Sequence, residues 1–68
     1  MTVKERNAQL RKLVKKLKEN GITYKVFWNV IGISSSNFYN WMSERTTLNT
    51  IQLNALETFI RNTFNVNQ

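Results

Sequence analysis

Residues 31–34 read Ile-Gly-Ile-Ser, and this short segment constrains the fold more than any other feature of the chain. The glycine can end one helix in a left-handed conformation, the next isoleucine is apolar, and the serine can cap a second helix. Apolar residues at helical spacing flank the segment: Phe27, Val30 and Ile31 before it, and Phe38, Trp41 and Met42 after it. Two short helices joined so tightly must cross at a steep angle. Residues Ile22 to Glu44 are therefore predicted to form a helix-turn-helix.

A long amphipathic helix is predicted to precede this unit. Thr2 and Glu5 have the spacing of a capping box, in which hydroxyl and carboxylate each accept a hydrogen bond from the other residue's backbone N–H. Apolar residues then recur at i, i+3, i+4 and i+7, the spacing of one helix face: Leu10, Leu13, Val14 and Leu17. Gly21 supplies a left-handed C-terminal cap. The first helix is expected to run from about Val3 to Glu19.

Three further helix starts share one pattern, a polar cap between two apolar residues that can form a hydrophobic staple. The three caps are Thr23, Ser34 and Asn49. Gln52 completes a box-like pair with the last of them, and this fourth helix is expected to end near Thr63. Its apolar positions are Leu53, Leu56 and Ile60. The predicted fold is all-α, a single domain of four helices, or five, over residues 1–64, followed by a frayed tail at 65–68.

The composition excludes several classes of protein. The 68 residues include no Cys and no His, which rules out disulfides and zinc sites built from thiolate or imidazole ligands. No metal site and no cofactor are predicted, and stability must come from packing of the aromatic and aliphatic side chains. No apolar run is long enough to span a bilayer, and a polar, charged segment follows Met1, so a cytoplasmic protein without a membrane partner is expected.

Catalysis is not expected from this sequence. Its four carboxylates are spread over three predicted helices, and the two in the first helix lie at its opposite ends: Glu5, Glu19, Glu44 and Glu57. There is no His or Cys to activate a nucleophile, and both glycines end helices instead of forming a phosphate-binding loop.

The positive charge is concentrated in the first helix. Of the net charge of +6, residues 1–20 contribute +5, with seven basic residues against two acidic ones. Four of the cations fall on one narrow stripe of the helix: Lys4, Arg11, Lys15 and Lys18. Lys12 and Lys16 lie on a neighbouring strip. Such a concentration favours contact with phosphate or with an acidic protein surface, and the alternative is a solvated face that keeps the domain soluble.

At residues 10–60 the sequence resembles the phage repressor and Cro-like, or lambda repressor-like, helix-turn-helix family. The resemblance rests on these buried positions and the turn glycine: Phe27, Ile31-Gly32-Ile33, Phe38 and Trp41, followed by Leu53, Leu56 and Ile60. It implies a sequence-specific DNA-binding regulator of transcription of the phage or mobile-element type, with its third helix in the major groove. Trp28 stands where the family has a small residue, so either the helices splay apart or the ring is displaced to the surface.

The resemblance also implies which residues contact DNA. Base contacts are expected from the outer face of the third helix: Ser35, Ser36, Tyr39, Asn40 and Ser43. Phosphate contacts are expected from the starts of helices 2 and 3, the following loop and the first helix: Tyr24, Lys25, Ser34, Arg45, Thr46, Thr47, Arg11, Lys15 and Lys18. A monomer has a small footprint, so a homodimer reading half-sites roughly 34 Å apart is expected.

A second hypothesis is a protein-binding module on the same scaffold, such as a mobile-element-encoded inhibitor of a host nucleic-acid enzyme. The uncharged third helix, Trp28 and Tyr39 would then meet a protein, and the basic first helix an acidic surface. Trp28 and Phe64 are also candidates for an exposed apolar patch at an interface. Association of the first helix with a membrane surface is disfavoured, because its apolar stripe is needed for the core.

Overall fold

The computed structural model describes residues 1–64, and this range contains four α-helices. They are α1 (Val3–Glu19), α2 (Tyr24–Ile31), α3 (Ser35–Met42) and α4 (Thr50–Phe64). The predicted all-α fold is confirmed, and α4 ends one residue later than expected. The tail predicted at residues 65–68 lies outside the described residues. Within residues 1–64, no helix has both the length and the apolar character that crossing a membrane requires.

Local hydrogen bonds explain where α1 and α4 begin. Thr2 Oγ1 accepts from the Glu5 N–H at 3.1 Å, and Glu5 Oε1 accepts from the Thr2 N–H at 3.2 Å. Asn49 Oδ1 accepts from the Gln52 N–H at 2.8 Å, and Gln52 Oε1 accepts from the Asn49 N–H at 3.0 Å. Both capping pairs are confirmed. Thr23 occupies the cap position of α2, but its side chain accepts no capping hydrogen bond from this helix.

The corner between α2 and α3 has the geometry that its sequence predicts. Gly32 adopts a left-handed conformation with φ of 79°, which lets the chain leave α2 without strain. The N–H groups of Gly32 and Ile33 both donate to the Trp28 carbonyl, at 2.9 and 3.1 Å. Ser34 Oγ then accepts from the Asn37 N–H at 3.1 Å and caps α3. Only three residues therefore separate the two helices.

All four helices contribute to one hydrophobic core. Its buried residues are Leu10, Val14, Phe27, Phe38, Trp41, Leu48, Leu53, Leu56 and Ile60. α4 packs against both α1 and α2, and α2 also packs against α3. The α2–α3 pair is thus held on a support made of the two long helices, which leaves the outer side of α3 uncovered.

A buried asparagine connects α1 to α3 and to the loop before α4. Asn7 is fully buried, and its Oδ1 accepts from Trp41 Nε1 and from the Leu48 N–H, both at 2.8 Å. Its Nδ2 donates to the carbonyls of Val3 at 2.8 Å and Leu48 at 3.2 Å. Because a buried polar group is costly unless it is hydrogen-bonded, this set of bonds fixes how α1 meets α3.

Candidate nucleic-acid interface

The outer face of α3 is polar and uncharged. Phe38 and Trp41 point into the core, so the residues between them point outwards. Ser35, Ser36 and Ser43 are exposed, Tyr39 is 52% exposed and Asn40 is half-buried. The Ser43 hydroxyl donates to the Asn40 carbonyl at 3.1 Å, beside that helix face. The five candidate base-contacting residues, four in α3 and Ser43 directly after it, are therefore accessible in varying degrees.

Aromatic rings join α2 to α3 beside this face. The Trp28 ring is half-buried and packs 5.8 Å from the Phe38 ring and 6.1 Å from the Tyr39 ring, measured between centroids. The large side chain thus lies at the edge of the α2–α3 pair, where it contacts both a core ring and a surface ring. Tyr24 meets the Tyr39 ring edge-on at 5.9 Å. Burial raises the pKa of Tyr24, and its neighbours Tyr39 and Glu19 raise it further.

Trp28 and Phe64 belong to different aromatic clusters and make no ring contact with each other. The Phe64 ring lies 6.3 Å from the Phe27 ring and 5.9 Å from the Phe59 ring, on the side of α4. Both Trp28 and Phe64 are half-buried. The two rings therefore pack against different residues.

Several cations of α1 lie beside the α2–α3 pair. Lys18 Nζ lies 4.7 Å from the centre of the Tyr24 ring, at the start of α2. Lys12 and Lys15 line a groove of about 270 Å³ whose other wall includes Met42 and Glu44, at the C-terminal end of α3. Cations from α1 therefore lie next to both helices of the pair.

Arg11 serves the fold in a way that its place on the stripe does not reveal. Its Nε donates to the Trp41 carbonyl at 2.6 Å, and its Nη2 donates to the Thr46 carbonyl at 2.8 Å. Its guanidinium also lies 5.5 Å from the centre of the Trp41 ring. The last turn of α3 has no basic residue of its own, so Arg11 brings positive charge to the negative end of that helix. The sequence contains one indication that a cation from elsewhere is needed here, because the last turn of α3 has none of its own.

The remaining candidate phosphate contacts differ in how much of each side chain is available. Lys25 at the start of α2 is exposed, as are three residues of the loop after α3: Arg45, Thr46 and Thr47. Ser34 is exposed as well, but its hydroxyl is the cap of α3. Tyr24 is half-buried under Lys18.

The end of α3 contains a feature that sequence reasoning missed. Glu44 has a φ of 65°, in the left-handed region that favours glycine. Its N–H donates to the Trp41 carbonyl at 3.0 Å, and the Arg45 N–H donates to the Asn40 carbonyl at 2.9 Å. This is the hydrogen-bond pattern of a Schellman motif. At the end of α1, the corresponding position is Gly21, with φ of 97°.

Comparisons of the chain with protein-family models, with curated proteins and with solved structures find no match. A functional interpretation must therefore rest on the placement of its own side chains.

Proposed function

We propose that this chain is a sequence-specific, double-stranded DNA-binding regulator of transcription, of the phage or mobile-element type, with α3 in the major groove. One observation carries the proposal: three lysines of α1 lie beside the α2–α3 pair, and they are Lys12, Lys15 and Lys18. Lys18 is placed over Tyr24, and Lys15 shares a groove with the end of α3. A polyanion lying along α3 would meet these cations at the same time.

The contacts divide between bases and phosphates. Small side chains such as Ser36 let the backbone of α3 come close to base edges, and Asn40 has the amide geometry for a bidentate contact with adenine. Tyr39 offers a ring edge to a thymine methyl group and a hydroxyl to a phosphate. Lys18 and Lys25 are suited to hold the DNA backbone, which positions the protein but carries no sequence information.

A homodimer is part of this proposal, because one eight-residue helix reads only a few base pairs. The cationic α1 is unsuited to meet a second copy of itself. By contrast, α4 carries one acidic and one basic residue, Glu57 and Arg61, which lie 3.4 Å apart as an ion pair. It also presents Ile51, whose surface is 80% exposed. These properties favour α4 as the surface between two copies.

A titration of DNA binding with salt tests the proposal. Fluorescence anisotropy of a labelled duplex, first of random sequence and then of sequences selected from a random library, gives the affinity between 50 and 200 mM KCl. We expect affinity to fall steeply with salt, and Asn40→Ala to reduce binding to the selected duplex more than to the random one. Asn29→Ala, at an exposed asparagine of α2 outside the proposed contacts and outside α4, is the matched control. Absence of duplex binding, or binding indifferent to salt, contradicts the proposal.

A protein-binding module is the second candidate, favoured by the absence of charge on α3 and by the exposed Tyr39 beside Trp28. Aromatic residues of this kind are enriched among those that dominate protein interfaces. A pull-down that yields a stoichiometric protein partner would support it if binding is lost in Tyr39→Ala but kept in Ser35→Ala plus Asn40→Ala. The protein-binding hypothesis would be contradicted if the pull-down captures no partner and Ser35→Ala plus Asn40→Ala abolishes duplex binding.

A further inference from the structure

The groove between α1 and the end of α3 has the composition of a site for an anion. The groove is lined by three cations of α1: Arg11, Lys12 and Lys15. Ala8 lies among them and has no side chain beyond Cβ that would fill the space. On the opposite wall are Met42 and Glu44. We infer that this groove binds a phosphate group, which is a backbone phosphate of the nucleic acid when DNA is bound, and that Glu44 lowers its affinity.

Arg11 makes the groove a prepared site. Its two donors are fixed on the carbonyls of Trp41 and Thr46, so the guanidinium cannot swing away from the groove wall. Lys12 and Lys15 are exposed on the same wall and can close on a ligand. Because Arg11 is already held in place, only the two lysines lose conformational freedom when a ligand binds, which lowers the entropic cost of binding.

The backbone of Glu44 indicates that its side chain has a role. Glycine would occupy this left-handed position without strain, as Gly21 does at the end of α1. A residue kept in a strained conformation at the margin of a site supports a hypothesis of function for its side chain. What glutamate adds over glycine is a carboxylate at the wall of a cationic groove.

This carboxylate opposes the ligand. Within residues 1–64, both ion pairs involve Glu57, so Glu44 stays outside direct pairing with the lysines across the groove. Its negative charge therefore reduces the potential that an incoming phosphate meets. Such a residue weakens binding to the phosphate backbone of any sequence. A larger share of the affinity then comes from base contacts of α3. This part of the inference rests on the proposed function.

The first test compares two variants that each lose two positive charges from α1. Lys12→Gln plus Lys15→Gln removes the two adjustable cations of the groove. Lys4→Gln plus Lys16→Gln removes two exposed lysines outside the set that lines the groove and is the matched control. Each lost phosphate contact lowers the slope of log affinity against log salt by about 0.9. Because the groove holds one phosphate, we expect Lys12→Gln plus Lys15→Gln to lose about 0.9 of this slope, so that the fall in affinity between 50 and 200 mM KCl becomes about 3.5-fold smaller.

Substitutions at Glu44 test the second part of the inference, that this residue lowers the affinity of the groove for phosphate. We expect Glu44→Gln and Glu44→Gly to bind random duplex several-fold more tightly than the unsubstituted chain, because both remove the carboxylate. Glu19→Gln makes the same change in net charge outside the groove-lining set and is expected to have a smaller effect. If the Glu44 variants match Glu19→Gln, the role of Glu44 is refuted. If the unsubstituted chain binds duplex, and Lys12→Gln plus Lys15→Gln has the same salt slope as Lys4→Gln plus Lys16→Gln, the groove does not bind a backbone phosphate.

A second readout separates the groove from the proposed function. Inorganic phosphate is titrated into ¹⁵N-labelled protein, and amide shifts are followed by NMR. Shifts at Ala8, Lys12 and Lys15 that are lost in Lys12→Gln plus Lys15→Gln support a phosphate site even if no duplex is bound. Absence of these shifts, together with an unchanged salt slope, overturns the inference while leaving DNA binding through other residues intact.

Discussion

Replacement of Asn7 by alanine should remove most of the stability of this domain. The substitution takes away the oxygen that accepts from Trp41 Nε1 and from the Leu48 N–H, both at 2.8 Å in a fully buried setting. Each buried donor left without a partner costs about 1–3 kcal/mol. Water entering the vacated space would recover part of this cost, so about 2–5 kcal/mol is expected. A domain of this size has a free energy of unfolding of only about 3–5 kcal/mol.

Urea unfolding followed by tryptophan fluorescence and far-UV circular dichroism measures this effect. With an m-value of about 1 kcal/mol/M, the midpoint should fall by about 2 M or more, or the chain should be unfolded without denaturant. Asn62→Ala places the same substitution on an exposed part of α4 and should change stability by less than about 0.5 kcal/mol. A loss below 1 kcal/mol in Asn7→Ala would refute the assigned role.

A double-mutant cycle identifies the source of the loss. Trp41→Phe removes the indole donor, so it removes one of the two groups that Asn7→Ala leaves without a partner. The two substitutions should therefore cost less together than the sum of their separate costs, with a coupling of about 0.5–3 kcal/mol. Additive costs would mean that the hydrogen bond between Trp41 Nε1 and Asn7 does not contribute as the geometry implies.

Three further predictions concern single positions. Glu44→Gly should raise stability by about 1 kcal/mol, or Tm by about 4–8 °C, by relieving the left-handed backbone, whereas Glu44→Ala keeps the strain and should not. Gly32→Ala should lower stability by about 1 kcal/mol in urea unfolding, from backbone strain alone, because an added Cβ meets no atom within 4 Å. Burial raises the pKa of Tyr24 above 10.0, so the folded chain keeps a proton that the unfolded chain loses. Stability should thus decline above about pH 10, and Tyr24→Phe should reduce that decline in urea midpoints measured from pH 8 to 11.

The helices were predictable because their signals are local. A capping pair such as Thr2 and Glu5 lies within one turn, and the glycine corner at Gly32 acts on its immediate neighbours. Periodicity identified the buried faces for a similar reason, since residues three and four apart share one side of a helix. None of these signals depends on how the helices are arranged in space. For this reason, the observed helix boundaries and the buried core residues agree closely with those predicted from the sequence.

The polar links between helices were not predictable in the same way. Asn7 and Trp41 are 34 residues apart, and Arg11 and Thr46 are 35 apart, so these hydrogen bonds exist only once the helices have packed. One sign was present: Asn7 lies on the apolar stripe of α1, three residues before Leu10, where a polar side chain needs a buried partner. Glu44 gave no such sign, because its strain comes from the Schellman motif that ends α3.

The cations of α1 also divide by residue type once their contacts are known. Arg11 is fixed on backbone carbonyls, and a planar guanidinium with several donors suits that task better than an ammonium group does. Lysine is a compact charge on a flexible stem, and Lys12, Lys15 and Lys18 extend beside the α2–α3 pair. Charge that is predicted from sequence as one surface thus has two kinds of surroundings. Arg11 holds the end of α3 in position, and the three lysines are exposed.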